Sequence, residues 1–188
     1  MEGIFFLLIG GTLFAQSWYV LGLYSDGRTM GVFTGGLGIA SLITLTLSPM
    51  LLLDMNVNGD PLKPEFVVAS TMVMKSIIIL WAVYAVGIAA HGILDFDERP
   101  IGLYGAFLAV ATAGSFLYFA TKLSIPYGDG IWLGISGVTL LLTLTAGVVF
   151  FYLTFGLNIL RLLTGWFALL GGGVIAFIGL AAITTLIS

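Results

Sequence analysis

The sequence has no cysteine, one histidine and few charged residues, and these shortages exclude several kinds of site and partner. Without cysteine the chain has neither disulfides nor thiolate metal ligands. Charged residues make up 8% of the 188 residues, against about 25% in soluble domains, so water is not the main solvent of this chain. The formal net charge of −3 is spread over loops without a basic patch, which argues against a nucleic-acid partner.

The residue combinations that catalysis or cofactor binding requires are also missing. No serine or threonine has a base nearby, no carboxylate pair lies inside an apolar run, and no phosphate-binding loop is present. His91 and Asp95 are spaced to share one helix face and could hold a metal ion. The acidic residues around them favour a solvated helix end instead. We therefore predict no enzyme activity, no cofactor and no metal site.

Long apolar runs are what the chain has in abundance. Hydrophobic residues make up 60% of it, and about 20 apolar residues suffice to span a bilayer core. We predict an all-α polytopic membrane protein with six spans, at about residues 4–23, 31–53, 66–94, 101–121, 131–157 and 162–187. The third and fifth runs are longer than one crossing needs, and we expect the fifth to protrude, tilt or kink near Gly147.

One short motif occurs three times: an arginine, a gap of two or three residues, a glycine and an aromatic residue nearby. The three copies begin at Arg28, Arg99 and Arg161 and reach their glycines at Gly31, Gly102 and Gly165. Each copy opens an apolar run and follows a Gly-Leu or Gly-Ile pair. Such recurrence favours a repeated supersecondary unit over coincidence. We predict a single membrane domain, 1–188, built of three helical hairpins at about 1–54, 66–122 and 130–188.

The positively charged residues predict the orientation in the membrane. The loops after spans one, three and five are predicted to hold Arg28, Arg99 and Arg161, while Lys63 and Lys122 lie on the opposite side. The positive-inside rule therefore favours a cytoplasmic arginine side and external termini, in a multi-pass protein of the cell inner (plasma) membrane. Lys75 could face the interior of the bundle, but if span three starts near Ser76 it reaches the external interface instead, and we prefer that interpretation.

Several segments resemble the urea/amide channel family, the UreI/AmiS type. Residues 3–10, Gly-Ile-Phe-Phe-Leu-Leu-Ile-Gly, are similar to the first helix of that family, and residues 32–37 are similar to its Phe-Val-Gly-Gly-Leu segment. Further similar segments, in the same order, are residues 97–100, 103–110, 131–133 and 164–168. The resemblance implies three hairpins around a pore within each protomer, external termini and a hexameric ring.

The resemblance also implies which residues line the pore. They are Phe6, Ile9 and Leu13 in span one, Trp81 and Tyr84 in span three, Trp132, Ile135 and Thr139 in span five, and Gly171 in span six. Ile135 and Thr139 stand where relatives carry a tryptophan pair, and Gly171 stands where the urea channel has an intramembrane glutamate. These departures indicate that the urea-sized slot is altered and that its selectivity is not simply inherited.

Gln16 and Ser17 are the polar pair inside span one. They either offer hydrogen bonds to a permeant amide or bond back to the helix backbone and to neighbouring side chains.

Two functions from different classes remain open. The first is a passive channel for small uncharged solutes, such as urea, short amides or ammonia, through a narrow and mostly apolar pore that excludes ions by their desolvation cost. The second is a non-transporting integral subunit of a larger membrane complex, which the missing glutamate and tryptophan pair favour. The expected partners are membrane lipid, a small neutral solute, and either further copies of the chain or other subunits.

Overall fold

Six long helices make up almost all of the computed structural model, which describes residues 2–23, 26–47, 56–57, 60–61, 64–124 and 132–184. The helices are α1 Glu2–Leu21, α2 Gly27–Leu47, α3 Pro64–Leu94, α4 Arg99–Phe119, α5 Gly137–Phe155 and α6 Asn158–Ile183. Each is long and apolar enough to cross a membrane, so the predicted all-α architecture with six spans is confirmed. Between α2 and α3, Asn56–Val57 pairs with Asp60–Pro61 in a short antiparallel ladder.

The second helix of each hairpin begins earlier than predicted. Arg28, Arg99 and Arg161 lie in the first turns of α2, α4 and α6, so the prediction that they lie in loops is wrong. Pro100 suits the first turn of α4, where its missing N–H costs no helical hydrogen bond. Gly156 ends α5 with a left-handed backbone (φ 60°), which leaves room for only a short turn before α6. The three arginines share one end of the bundle, which we call the arginine end.

The two over-long runs differ in how they are accommodated. α3 is one helix of 31 residues, about 46 Å long, and so exceeds the hydrocarbon core of about 30 Å. No glycine or proline between Pro64 and Gly87 interrupts it, and the half-buried Lys75 lies inside the helix. Because the helix is longer than one crossing, a membrane span that starts near Ser76 stays a prediction.

The fifth run is broken near its beginning. Before α5, a π-helical turn at Trp132–Ser136 contains a non-helical residue, Gly134 (φ −91°, ψ −123°). The kink is therefore at Gly134 and not near Gly147, which lies within the regular part of α5. A second π-helical turn, Ala120–Ser124, extends α4 and packs against the first one at the end opposite the arginines.

Close and looser helix contacts alternate around the bundle. α2 packs closely on α3, α4 on α5, and α6 on α1, whereas the two helices within each hairpin contact each other less. Glycines make this approach possible: a Cβ atom at Gly10 would lie 2.5 Å from the backbone nitrogen of Ala176. Because lipid tails are as apolar as leucine, such backbone contact is what holds membrane helices together.

The glycine of each repeated motif has the same place in this alternation. At Gly31 an added Cβ atom would lie 2.9 Å from the carbonyl oxygen of Ala89. At Gly102 it would lie 2.5 Å from Thr154, and at Gly165 it would lie 2.5 Å from Leu21. Each of these contacts joins the start of a hairpin's second helix to the end of a first helix, α3, α5 or α1. Three copies of one hairpin, arranged around a common axis, would produce this pattern.

We therefore expect α1–α2, α3–α4 and α5–α6 to superpose on one another in an experimental structure. The physical reason is that the three equivalent glycine contacts impose the same approach between successive hairpins. Superposition of the hairpin backbones measures this directly. Three unrelated crossing angles within the hairpins would contradict the repeat.

Candidate pore

Side chains of α1, α3 and α5 fill most of the interior of the bundle. Each hairpin therefore contributes its first helix to the inside, while its second helix buries mainly small residues and turns larger ones outward. The largest fully buried side chains on these three helices are Phe5, Leu13, Met74, Ile78, Tyr84, Val138 and Leu142. Leu108 and Phe119 of α4 and Ile175 of α6 complete this interior.

The predicted pore residues lie inside the protomer wherever the structure describes them. One buried cluster contains Phe6, Ile9, Leu13, Trp81, Tyr84 and Ile135. Thr139 is buried one turn after Ile135, and its hydroxyl donates to the Ile135 carbonyl oxygen at 2.9 Å. Gly171 is buried at the contact between α5 and α6, where a Cβ atom would lie 3.4 Å from Oγ1 of Thr145. The Trp132 side chain lies outside the described part. Lining of a pore by these residues stays a prediction.

The structure adds interior residues that the sequence comparison did not single out. On α3, Met74, Ile77 and Ile88 extend the buried face that Trp81 and Tyr84 begin. On α5, the same face as Ile135 continues through Val138, Leu142, Ala146, Val149 and Leu153. Steps of three and four residues from the predicted positions reach every one of them, so helical periodicity alone was the signal that could have found them.

A polar pair crosses this apolar interior. The Oη atom of Tyr84 lies 2.8 Å from Nε2 and 3.0 Å from Oε1 of Gln16, so the phenol meets both heteroatoms of the carboxamide. Tyr84 is 1% exposed and Gln16 is 4% exposed. Gln16 therefore makes the cross-helix bond that was one of its two predicted roles. Ser17 bonds back to its own helix, donating to the Phe14 carbonyl oxygen at 2.6 Å.

Trp81 packs against the Tyr84 side of this polar pair. Its ring meets the Tyr84 ring edge to face, with 5.4 Å between centroids and an interplanar angle of 74°. The indole Nε1–H is buried and has no hydrogen-bond acceptor among the described residues. Buried donors are nearly always paired, so an unpaired one in the centre of a bundle calls for an explanation.

A small cavity separates the polar pair from the arginine end. Its volume is about 20 Å³, room for about one water molecule. Its polar lining comes from three helices and the turn between α3 and α4: Gln16, Tyr19, His91, Glu98 and Tyr152. Gln16 therefore borders this cavity on one side and bonds to Tyr84 inside the apolar cluster on the other.

Local hydrogen bonds of Asp26 and His91 connect turns to helices at the arginine end. The backbone N–H of Thr29 donates to Oδ1 of Asp26 at 2.5 Å, and this bond holds the pKa of the Asp26 carboxyl below its usual range. The His91 ring nitrogen Nδ1 donates to the Phe96 carbonyl oxygen. His91 thus ties the end of α3 to the turn that follows it, and within the described ranges no group of three histidine or acidic side chains is placed to hold a metal ion.

Comparison with solved structures identifies the architecture. The chain matches the cryo-electron microscopy structure of the Helicobacter pylori urea channel in its closed state with a TM-score of 0.73, at 16% identity. It matches the crystal structure of the urea channel from the same human gastric pathogen with a TM-score of 0.71, at 19% identity. Each match covers 98% of both chains. This protein has the urea-channel fold.

The resemblance read from the sequence therefore agrees with the fold found by structural comparison. No protein-family model matches the sequence, and none of the curated proteins matches it either. At such low identity the fold is shared while the side chains inside it differ. The comparison therefore shows a shared fold and not a shared function of particular side chains.

Proposed function

We propose that this protein is a passive channel for urea and other small uncharged solutes such as short amides or ammonia, with one pore in each protomer. The observation that carries the proposal is the match of the whole chain to urea channels, with the buried face of α1, α3 and α5 directed to the axis of the bundle. It acts as a channel and not as an enzyme.

The interior suits neutral solutes and opposes ions. Phe6, Ile9 and Leu13 on one side and Trp81 and Ile135 on the other make the path mostly apolar, so an ion loses its hydration without replacement. A neutral solute loses much less on entering such a path. The Gln16 carboxamide, the Tyr84 phenol and the Trp81 indole are polar groups that replace part of its hydration.

Two of the three positions that depart from relatives, Thr139 and Gly171, fit the same proposal. Thr139 satisfies its hydroxyl with its own helix, so it contributes a small, nearly apolar surface to the path. Gly171 has no side chain, and the nearest atom that a Cβ would meet is the hydroxyl of Thr145. The loss of an ionisable group at this depth leaves a path without fixed charge at that point, which suits a channel for uncharged solutes.

Stopped-flow permeability in proteoliposomes tests the proposal. We expect purified protein to raise urea permeability above that of empty liposomes by at least about tenfold. Na⁺ and Cl⁻ permeability should not rise, because the apolar interior does not replace the hydration that an ion would lose. Liposomes containing an unrelated six-helix membrane protein at the same density serve as the control. Equal urea permeability in both preparations would favour the alternative, a non-transporting subunit of a larger membrane complex.

We also propose that protomers assemble into a closed ring in the inner membrane, of six copies by resemblance, with the arginine end in the cytoplasm and the termini outside. A repeated contact between different faces of one chain must close into a ring to avoid filaments. Native mass spectrometry from mild detergent is expected to give the mass of six protomers. A single protomer there and in cross-linked native membranes would contradict the ring.

A further inference from the structure

The Gln16 side chain is itself a primary amide, held inside the candidate pore by the phenol of Tyr84. Both heteroatoms of this amide lie within 3.0 Å of Oη, so the phenol recognises the edge of the amide and not one atom of it. We propose that Gln16 and Tyr84 form an amide-exchange filter, in which the edge of a permeating urea or primary amide replaces the Gln16 carboxamide on Tyr84 during passage. This proposal rests on the function proposed above.

The position of the pair supports this role. Gln16 lies one turn after Leu13 on the same face of α1, and it also lines the cavity of about 20 Å³ on its arginine side. The cavity is a place where a molecule approaching from the arginine end meets the pair first.

The unpaired indole supports it independently. Trp81 is 3% exposed, stacks edge to face on Tyr84, and directs a buried N–H to no acceptor among the described residues. A solute carbonyl beside Tyr84 would supply the acceptor that this donor lacks. The site then offers two donors, the Trp81 indole and the Tyr84 hydroxyl, to a carbonyl oxygen, while Oε1 of Gln16 accepts from the solute N–H.

The proposed filter selects among solutes because the hydrogen bonds between Gln16 and Tyr84 must break when a solute passes. Separating Gln16 from Tyr84 leaves two buried polar groups without partners, which slows any solute that cannot bond to them. A planar solute with a carbonyl and an N–H side by side restores both bonds. An alcohol of the same size can bond through its hydroxyl groups but has no planar edge with a carbonyl beside an N–H, so it matches the two partners less well and passes more slowly.

The test compares urea with ethylene glycol, which is of similar size but has no carbonyl and no N–H. The variants are Gln16→Leu, Tyr84→Phe and the double variant, in proteoliposomes of equal protein content. In each single variant no pair has to be broken and one partner still binds urea. We therefore expect ethylene glycol permeability to rise and the urea to ethylene glycol ratio to fall about threefold to tenfold, the size of one hydrogen bond. In the double variant neither partner remains, and urea permeability itself is expected to fall.

Ser17→Ala is the matched control, because Ser17 is equally buried but bonds only within its own helix. Ser17→Ala should leave the ratio of urea to ethylene glycol permeability unchanged. A Gln16 or Tyr84 variant that merely disturbed the packing would change the permeability of both solutes alike, so it would also leave the ratio unchanged. Gln16→Met, which keeps the length of the side chain, replaces Gln16→Leu if that variant does not fold. Unchanged ratios in folded single variants would overturn the filter while the channel stands. A wild-type protein that passes no urea would overturn the channel itself, and the filter with it.

Discussion

Gly172→Ala is expected to destabilise the protein strongly, whereas Gly173→Ala, one residue further on, leaves its stability unchanged or slightly raised. A Cβ atom at Gly172 would lie 2.8 Å from the Gly10 carbonyl oxygen, 2.8 Å from the Phe14 nitrogen and 2.9 Å from Cβ of Leu13. Two of these three atoms belong to the backbone of α1 and cannot rotate away. The added methyl group must therefore push α1 and α6 apart, at a cost of about 1–3 kcal/mol.

The neighbouring glycine provides the control. A Cβ atom at Gly173 would meet nothing within 4 Å, and alanine is the better helix former by about 1 kcal/mol. Apparent unfolding temperatures in detergent measure the difference, and Gly172→Ala should unfold several degrees below the wild type. Similar unfolding temperatures for the two variants would show that the close contact between α1 and α6 does not hold the fold together.

Which of two adjacent glycines matters could not be predicted from the sequence. Apolar runs between polar turns were enough to predict six spans, because the bilayer fixes the length of each helix. The rotation of each helix about its own axis depends on its neighbours, and this rotation distinguishes Gly172 from Gly173. The kink shows the same limit: Gly134 and Gly147 both stand in one apolar run, and only the packed structure shows that the backbone breaks at Gly134.

The candidate site was predictable in part for a similar reason. Phe6, Ile9 and Leu13 follow helical spacing, so their common face could be read from the sequence, and the family resemblance indicated that the face points inward. The bond between Gln16 and Tyr84 joins residues 68 positions apart. No local pattern predicts such a contact, since it depends on these two side chains of α1 and α3 meeting across the interior at one depth. The departures at Ile135, Thr139 and Gly171 were visible, but their surroundings were not.

Leu13→Trp is expected to block the proposed channel, with urea permeability falling about tenfold or more. Leu13 is fully buried inside the bundle, between the Phe6 and Ile9 face and the polar pair. Leu13 is surrounded by other buried side chains, so a larger indole at this position would occupy the space through which a solute is proposed to pass. Leu13→Ala removes side-chain volume at the same place and should keep or raise the permeability.

Phe14→Trp is the matched control, since Phe14 is the next residue on α1 but is 42% exposed on the outside of the protomer. An indole there should leave urea permeability unchanged. Size-exclusion chromatography confirms that each variant is folded and assembled as the wild type is. If Leu13→Trp does not fold, Ile9→Trp places the same ring one turn away on the same buried face.

The most direct test of a pore inside each protomer is the urea permeability of Leu13→Trp relative to that of Phe14→Trp, measured by stopped flow in proteoliposomes of equal protein density. A pore lined by Leu13 predicts a ratio of about one tenth or less. A ratio near one, with both proteins folded and the wild type conducting urea, would place the solute path outside the interior of the protomer and contradict the account.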